Sequence, residues 1–159
     1  MTKRILSLML VIISLLTLFS CGGEKYSYCE MLLPLGDEFY GVEVEDFDKA
    51  FSDGETVVAV LRISFVAANK EGFGEVLTPL EFGRFWNEKC ERNADVLSGS
   101  GVFYSVYYNP SASGEDVYLE AFYRSKNAYF VLLFAAARVD GEEQVEKFLA
   151  YASGVRFTD

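Results

Sequence analysis

The chain predicts an α+β domain: an antiparallel β-sheet with helices packed on one face. Three observations lead there. Val57-Val58-Ala59-Val60-Leu61 is apolar on both sides and reads as a central strand. Three more strand patterns follow in quick succession between Val102 and Ala137, the last two joined by Ser125-Lys126-Asn127, short enough for a hairpin. Two helix patterns, opening at Thr78 and Asp140, each carry one apolar stripe. The order β, β, β, α, β, β, β, α separates strands from helices in the way of an α+β domain rather than alternating them as a parallel fold would.

Taken in order, Met31-Leu32-Leu33 is a short first strand that ends at Pro34 and Gly36. Tyr40 to Glu45 alternates and gives a second strand with one wet side. Asp46 to Gly54 is acidic and turn-rich, and Thr56 to Ala67 is the long central strand, broken in its apolar character by Arg62. An arginine there is expected to reach the sheet rim or pair with a carboxylate, and a ligand-binding arginine is the rarer role. Thr78-Pro79-Leu80-Glu81 is a capping box with proline at the first helical position. The helix it opens should run to about Asp95, with Phe82, Phe85, Trp86 and Cys90 along its inner face. Ser98 to Gly101 is a turn. Strands follow at Val102 to Tyr108, Val117 to Arg124 and Tyr129 to Ala137, the first two separated by the loop from Asn109 to Gly114. The last helix starts at Asp140, buries Val145, Phe148, Leu149 and Ala152, and closes at Gly154 before a short strand at Val155-Arg156-Phe157.

The N-terminal segment has a different composition. Lys3-Arg4 precedes an apolar run from Ile5 to Phe19, about 15 residues and short of the roughly 20 that a spanning helix needs. That is the build of a secretory signal. Leu18-Phe19-Ser20-Cys21 resembles the lipobox of bacterial lipoproteins, and the resemblance implies that Cys21 takes a diacylglyceryl group and becomes the first mature residue. Residues 1–20 are then a signal peptide, 21–28 a tether, and 29–159 one domain. The expected location is the extracytoplasmic face of the cell membrane, held by lipid on Cys21.

All 24 acidic residues follow Cys21, whereas Lys3 and Arg4 leave with the signal, so the mature formal charge is −12. A chain of that sign is repelled by nucleic-acid phosphates and by anionic headgroups, so nucleic acid is excluded as a partner and acyl chains must make the membrane contact. Cys29 and Cys90 remain after lipidation and permit a single internal bond in an oxidising compartment; the alternative is that both stay free.

Catalytic signals are sparse. The chain has no histidine, which removes the commonest general base and metal ligand. No phosphate-cradling glycine loop is present. Asp46-Phe47-Asp48 opens like a calcium loop, but Ala50 and Phe51 stand where a ligand and a glycine are needed. No cofactor or metal is expected.

Aromatic residues crowd the late strands. Along the strand from Val117, alternation sends Val117, Leu119, Ala121 and Tyr123 towards the helices and Tyr118, Glu120, Phe122 and Arg124 away from them. Aromatics mixed with charge have the composition of a contact surface, which makes Tyr118, Phe122 and Arg124 the candidate binding surface; the alternative is that the aromatics serve the sheet alone, through cross-strand pairs. Leu33-Pro34-Leu35-Gly36 after the first strand, the helix ahead of three strands, and the closing Ser153-Gly154-Val155-Arg156-Phe157 are similar to the PsbP-like fold. That resemblance implies an assembly or interaction protein and transfers no functional residue. The sequence thus points to a lipid-anchored, non-catalytic binding or assembly domain whose partner is an envelope protein or small ligand. The alternatives are a carboxylate-dependent envelope hydrolase and a structural lipoprotein without a dedicated ligand.

Overall fold

Ser27–Tyr28 (β1) and Met31–Leu32 (β2) form a hairpin turned by Cys29, which takes a left-handed backbone at φ 51°. This computed structural model describes residues 26–74, 77–111 and 114–158. The signal peptide and the lipidated Cys21 expected from the sequence lie outside the described residues. Ser27 and Tyr28, assigned to the tether by the sequence reading, form β1. Tyr26 is buried, its hydroxyl donates to the Phe39 carbonyl at 2.9 Å, and its ring meets Phe51 edge-on at 5.5 Å. A tyrosine with both ends satisfied in this way belongs to the folded domain.

Tyr40–Val42 (β3) is followed by Lys49–Ser52 (β4), a strand within the segment read from sequence as acidic turn. Only four residues long, β4 buries Ala50, Phe51 and Ser52 and pairs antiparallel with the central strand Thr56–Ser64 (β5). β5 stops earlier than its composition suggests, because Ser64 caps a short helix, Phe65–Lys70 (α1), by accepting from the Ala67 N–H at 3.2 Å. Pro79–Lys89 (α2) begins with the expected capping box: Thr78 accepts from the Glu81 N–H, and Glu81 accepts from the Thr78 N–H at 2.8 Å. It ends six residues before Asp95. Glu91 turns left-handed at φ 55°, and the Arg92 N–H reaches back to the Asn87 carbonyl at 2.8 Å.

Leu97–Gly99 (β6) and Val102–Ser111 (β7) are joined by Ser100-Gly101, both at positive φ (52° and 78°), which suits a two-residue hairpin turn. Gly114–Arg124 (β8) and Ala128–Val139 (β9) complete the large sheet. Its seven antiparallel strands run in the order β3-β4-β5-β9-β8-β7-β6. Gly141–Gly154 (α3) is capped by Asp140, whose carboxylate accepts from the Glu142 and Glu143 N–H groups, and Arg156–Phe157 (β10) pairs with β2 to make a small three-stranded sheet. No helix among the described residues is long and apolar enough to cross a membrane.

The α+β class and the antiparallel pairing are as the sequence predicts. The placing of the helices is not: they cover both faces. On one face α3 and the small sheet pack over Val117, Leu119, Ala121, Phe130, Leu132 and Phe134, with Phe148 of α3 stacked on Phe134 at 5.4 Å. On the other, α1 and α2 cover Phe122, Tyr129 and Val131, with Phe82 stacked on Tyr129 at 4.5 Å. Strand alternation could not reveal this, since β5 and β9 are apolar on both sides and fit helices above or below. Each large side chain buried this way contributes about 1.5–3 kcal/mol, so both layers matter to stability.

Candidate functional site: the open half of the helix-bearing sheet face

Cross-strand pairing assigns the three residues of the candidate surface to the face that carries α1 and α2. Phe122 does not line a surface. It is 1% exposed, lies edge-on beneath Phe82 at 6.0 Å, and sits so close to α2 that a β-carbon on Gly83 would come within 2.5 Å of its ring. The sequence reading placed α2 on the opposite face, and its removal from this one is what made Phe122 look exposed. Arg124 is exposed at the strand end with its guanidinium 5.2 Å from the Phe65 ring centre, a cation–π contact to α1. Tyr118 alone lies on the open half. It is half-buried, and its ring stacks on Tyr107 at 5.1 Å with 6° between the planes.

The register extends that half across the sheet. Tyr107 pairs with Tyr118, Tyr118 with Ala135, Ala135 with Val57, Val57 with Ser52, and Ser52 with Tyr40. Directly opposed residues share a face, so these six form one row over β7, β8, β9, β5, β4 and β3. The next row holds Ser105, Glu120, Leu133, Ala59, Ala50 and Val42. From Tyr118 to Tyr40 this surface belongs to neither packed apolar cluster. Val57, Leu133 and Val42 are half-buried there, and Tyr40 is 52% exposed. The side chains between the tyrosines are small and buried: Ala135, Ser52, Ala59 and Ala50. Sequence reasoning found Tyr118 and missed Tyr40, Val57 and Ala135, because only strand order brings β3 within reach of β8.

Where the open half meets α2, one charge is buried. Glu120 is 0% exposed and forms an ion pair with Arg92, three residues beyond the C-terminal end of α2. Arg92 also lies over the Tyr107 ring at 5.1 Å, so guanidinium, Tyr107 and Tyr118 make a continuous stack. Burial pushes the Glu120 carboxyl above its usual range, while Arg92, Trp86 and Tyr107 work against that shift. Neither Glu120 Oε1 nor Trp86 Nε1 makes an aligned hydrogen bond. Burial likewise raises the Tyr107 hydroxyl, with Glu120 adding to the effect, so it stays protonated. Trp86 is thus part of the packed layer, as its helical spacing predicts. Next to this pair, Asn87 donates to the Ala94 carbonyl at 2.7 Å and to Ser105 Oγ at 2.8 Å, tying α2 to β7. An open depression of about 530 Å³ lies outside it, lined by Arg84, Asn87, Glu88, Arg92 and the segment from Ala94 to Leu97.

A second ionic node lies on the other face. Arg62 donates from Nε to Glu30 at 3.2 Å, Ser125 Oγ donates to Glu30 at 2.7 Å, and the Arg62 N–H is taken by the Asp48 carboxylate at 2.7 Å. Arg62 therefore pairs with a carboxylate, as the sequence suggests, and fastens the small sheet to the large one. Cys29 and Cys90 are free. Cys29 is exposed in the β1–β2 turn on the side of the small sheet, and Cys90 follows α2 on the opposite face, so the sheet itself stands between them. Among the described residues, no three His, Cys, Asp or Glu side chains gather to hold a metal ion.

No family model matches the chain, and no curated protein does. Two solved structures are similar in fold. A crystal structure from Bacteroides thetaiotaomicron VPI-5482 shares 9% identity at a TM-score of 0.48, over 81% of this chain and 44% of that one, so the chain spans less than half of that protein. The solution structure of cyanobacterial PsbP (CyanoP) from Synechocystis sp. PCC 6803 shares 15% identity at a TM-score of 0.41, over 89% of this chain and 99% of that one.

Proposed function

We propose that this chain is a lipid-anchored protein of the extracytoplasmic membrane face whose α+β domain binds a partner without catalysing a reaction. One observation carries the binding role: half of a sheet face is left without a described helix, with Tyr40 exposed at its edge and Tyr118 half-buried upon it, among small, uncharged side chains. An interface core has that composition, with aromatics enriched and charge depleted. The strongly perturbed carboxylate beside it, Glu120, is already held by Arg92 beneath α2, so its charge serves packing. The anchor rests on Leu18-Phe19-Ser20-Cys21. From Cys21 to Tyr26 the chain reaches about 17 Å at full extension, which keeps the domain beside the bilayer. The net charge of −12 directs it towards cationic partners and away from nucleic acid.

The test has two arms. Intact mass of the protein extracted from membranes should show an acylated N-terminal Cys21, and Cys21→Ser should leave unprocessed precursor; cleavage elsewhere with a free Cys21 thiol overturns the anchor. A photo-crosslinking side chain placed at Tyr118 should trap a defined partner in cells, whereas one at Glu146 on the outer side of α3 should not. Equal trapping at both positions, or at neither, overturns the binding role.

A further inference from the structure

Strand β3 is one edge of the large sheet, and the β4–β5 turn fixes which of its backbone groups face outward. The Asp53 N–H donates to the Thr56 carbonyl at 3.3 Å, so these two residues are a hydrogen-bonded pair. Such pairs alternate along an antiparallel ladder, which makes Phe51 with Val58 and Lys49 with Val60 the next two. The backbone groups of Ala50 and Ser52 therefore turn the other way, to Val42 and Tyr40 of β3. Gly41 lies between those two, so its N–H and carbonyl point away from the sheet. Among the described residues no strand pairs with them. Gly41 is exposed, Tyr40 beside it is 52% exposed, and a β-carbon on Gly41 would meet nothing within 4 Å.

Sheet edges are commonly closed by proline, lysine or a bulge, and β3 has none of these. Its guard is charge of one sign. Glu38 precedes the strand, Glu43, Glu45 and Asp46 follow it, and all four are exposed. Asp53 adds to the Glu38 end: burial raises the Tyr151 hydroxyl, and Glu38 and Asp53 both raise it further, so the two carboxylates stand within reach of one ring. Lys49, the basic residue of β4, turns its ammonium to the Phe51 ring at 5.7 Å. We infer that the β3 edge takes an extended segment of a partner protein as an added strand, one that carries lysine or arginine towards both ends. Main-chain bonds to Gly41 supply affinity, the carboxylates select the sign, and the space over Gly41 accepts a large apolar side chain of the segment. A second copy fits less well, because it brings the same acidic edge. The inference rests on the binding role proposed above, and it uses the edge of the sheet where that role used the face.

The experiment uses the full protein in detergent and a fluorescent synthetic peptide of about eight residues, an ordinary strand length. The peptide carries phenylalanine at its centre, valine and threonine beside it, and lysine towards both ends. Fluorescence anisotropy should report saturable binding that weakens with salt. N-methylation of alternate peptide amides blocks the hydrogen bonds of one edge only, so one register should abolish binding and the other should leave it unchanged. Gly41→Pro deletes the outward N–H and touches no bond to β4; it should weaken binding about tenfold or more at nearly constant Tm. In the parent protein, the peptide should slow hydrogen exchange at the Gly41 amide and leave Val42 as it was. Equal binding by both methylated peptides, a Gly41 amide that stays unprotected, or no binding at any salt overturns the inference. So does undiminished binding by folded Gly41→Pro, or sedimentation showing a dimer that Gly41→Pro dissociates. A partner trapped at Tyr118 in cells with no peptide binding removes the added strand and leaves the binding role standing; no trapping and no peptide binding removes both.

Discussion

Gly83→Ala tests whether α2 packs on the sheet as closely as described. In an exposed helix interior this change stabilises by about 1 kcal/mol, since alanine restricts the unfolded chain more than glycine does. Gly83 is buried in α2, and an added β-carbon would lie 2.5, 2.8 and 3.0 Å from three atoms of the Phe122 ring. That ring cannot swing aside, because Phe122 is 1% exposed and Phe82 meets it edge-on. Overpacking a rigid core costs about 1–3 kcal/mol. An approach of 2.5 Å puts the clash at the upper end of that range, about 2–3 kcal/mol, so a net loss of about 1–2 kcal/mol follows. At about 3–5 °C per kcal/mol for a domain of this size, Tm should fall by roughly 3–10 °C. Urea unfolding measures the loss directly, with the m-value unchanged. Phe122→Leu trims the ring, so Gly83→Ala should cost less in that background than in the native one. A Gly83→Ala protein as stable as the parent, or more so, would refute the close approach and with it the burial of Phe122.

Phe122→Ala should destabilise by about 3–5 kcal/mol, the loss for a buried phenylalanine, and an unchanged Tm would return it to the surface. Arg92→Met strands the Glu120 carboxylate and should cost about 3–5 kcal/mol at neutral pH. Burial raises the folded Glu120 pKa above its ordinary 4.5, so the folded state binds the extra proton. Stability contributed by that proton is present below about 4.5 and lost as pH rises through the folded pKa, so the Arg92→Met deficit should shrink on acidification. A deficit constant from pH 4 to 8 would show that Glu120 is not the group left unpaired. Glu30 has the opposite sign: burial raises its pKa, but Ser125, the backbone and Arg62 together bring it below the ordinary value. Its contribution is present above about 4.5 and lost as pH falls, so Glu30→Gln should destabilise at pH 7 and lose its effect in acid; an effect that grows in acid would contradict the node. In protein taken from cells without reductant, Cys29 should alkylate quickly and Cys90 slowly, since burial raises the Cys90 thiol; a peptide linking the two would contradict the sheet that separates them.

Local chemistry settled much of this protein before any packing was known. Thr78-Pro79-Leu80-Glu81 and Asp140 place two helix starts, because caps are satisfied within four residues. Doubly apolar β5 and β9 announce themselves as central strands, and they lie side by side in the sheet. The proposed signal and its Cys21 are read from the sequence alone, since translocation would act on an extended chain. Arg62 among apolar neighbours foretold a carboxylate without saying which; Glu30 lies 32 residues away. The rest required tertiary structure. β4 is four residues long, too short for alternation to separate from turn, and gains its identity from β5. A strand apolar on both sides accepts a helix on either, so the face taken by α2 is decided by side-chain fit, with Gly83 against Phe122 as its clearest contact. That choice buried Phe122, kept Tyr118 on the open half, and brought Tyr40 into the same row from 78 positions earlier in the chain. A row of residues drawn from six strands exists only once their order is set, and strand order is a property of the packed sheet.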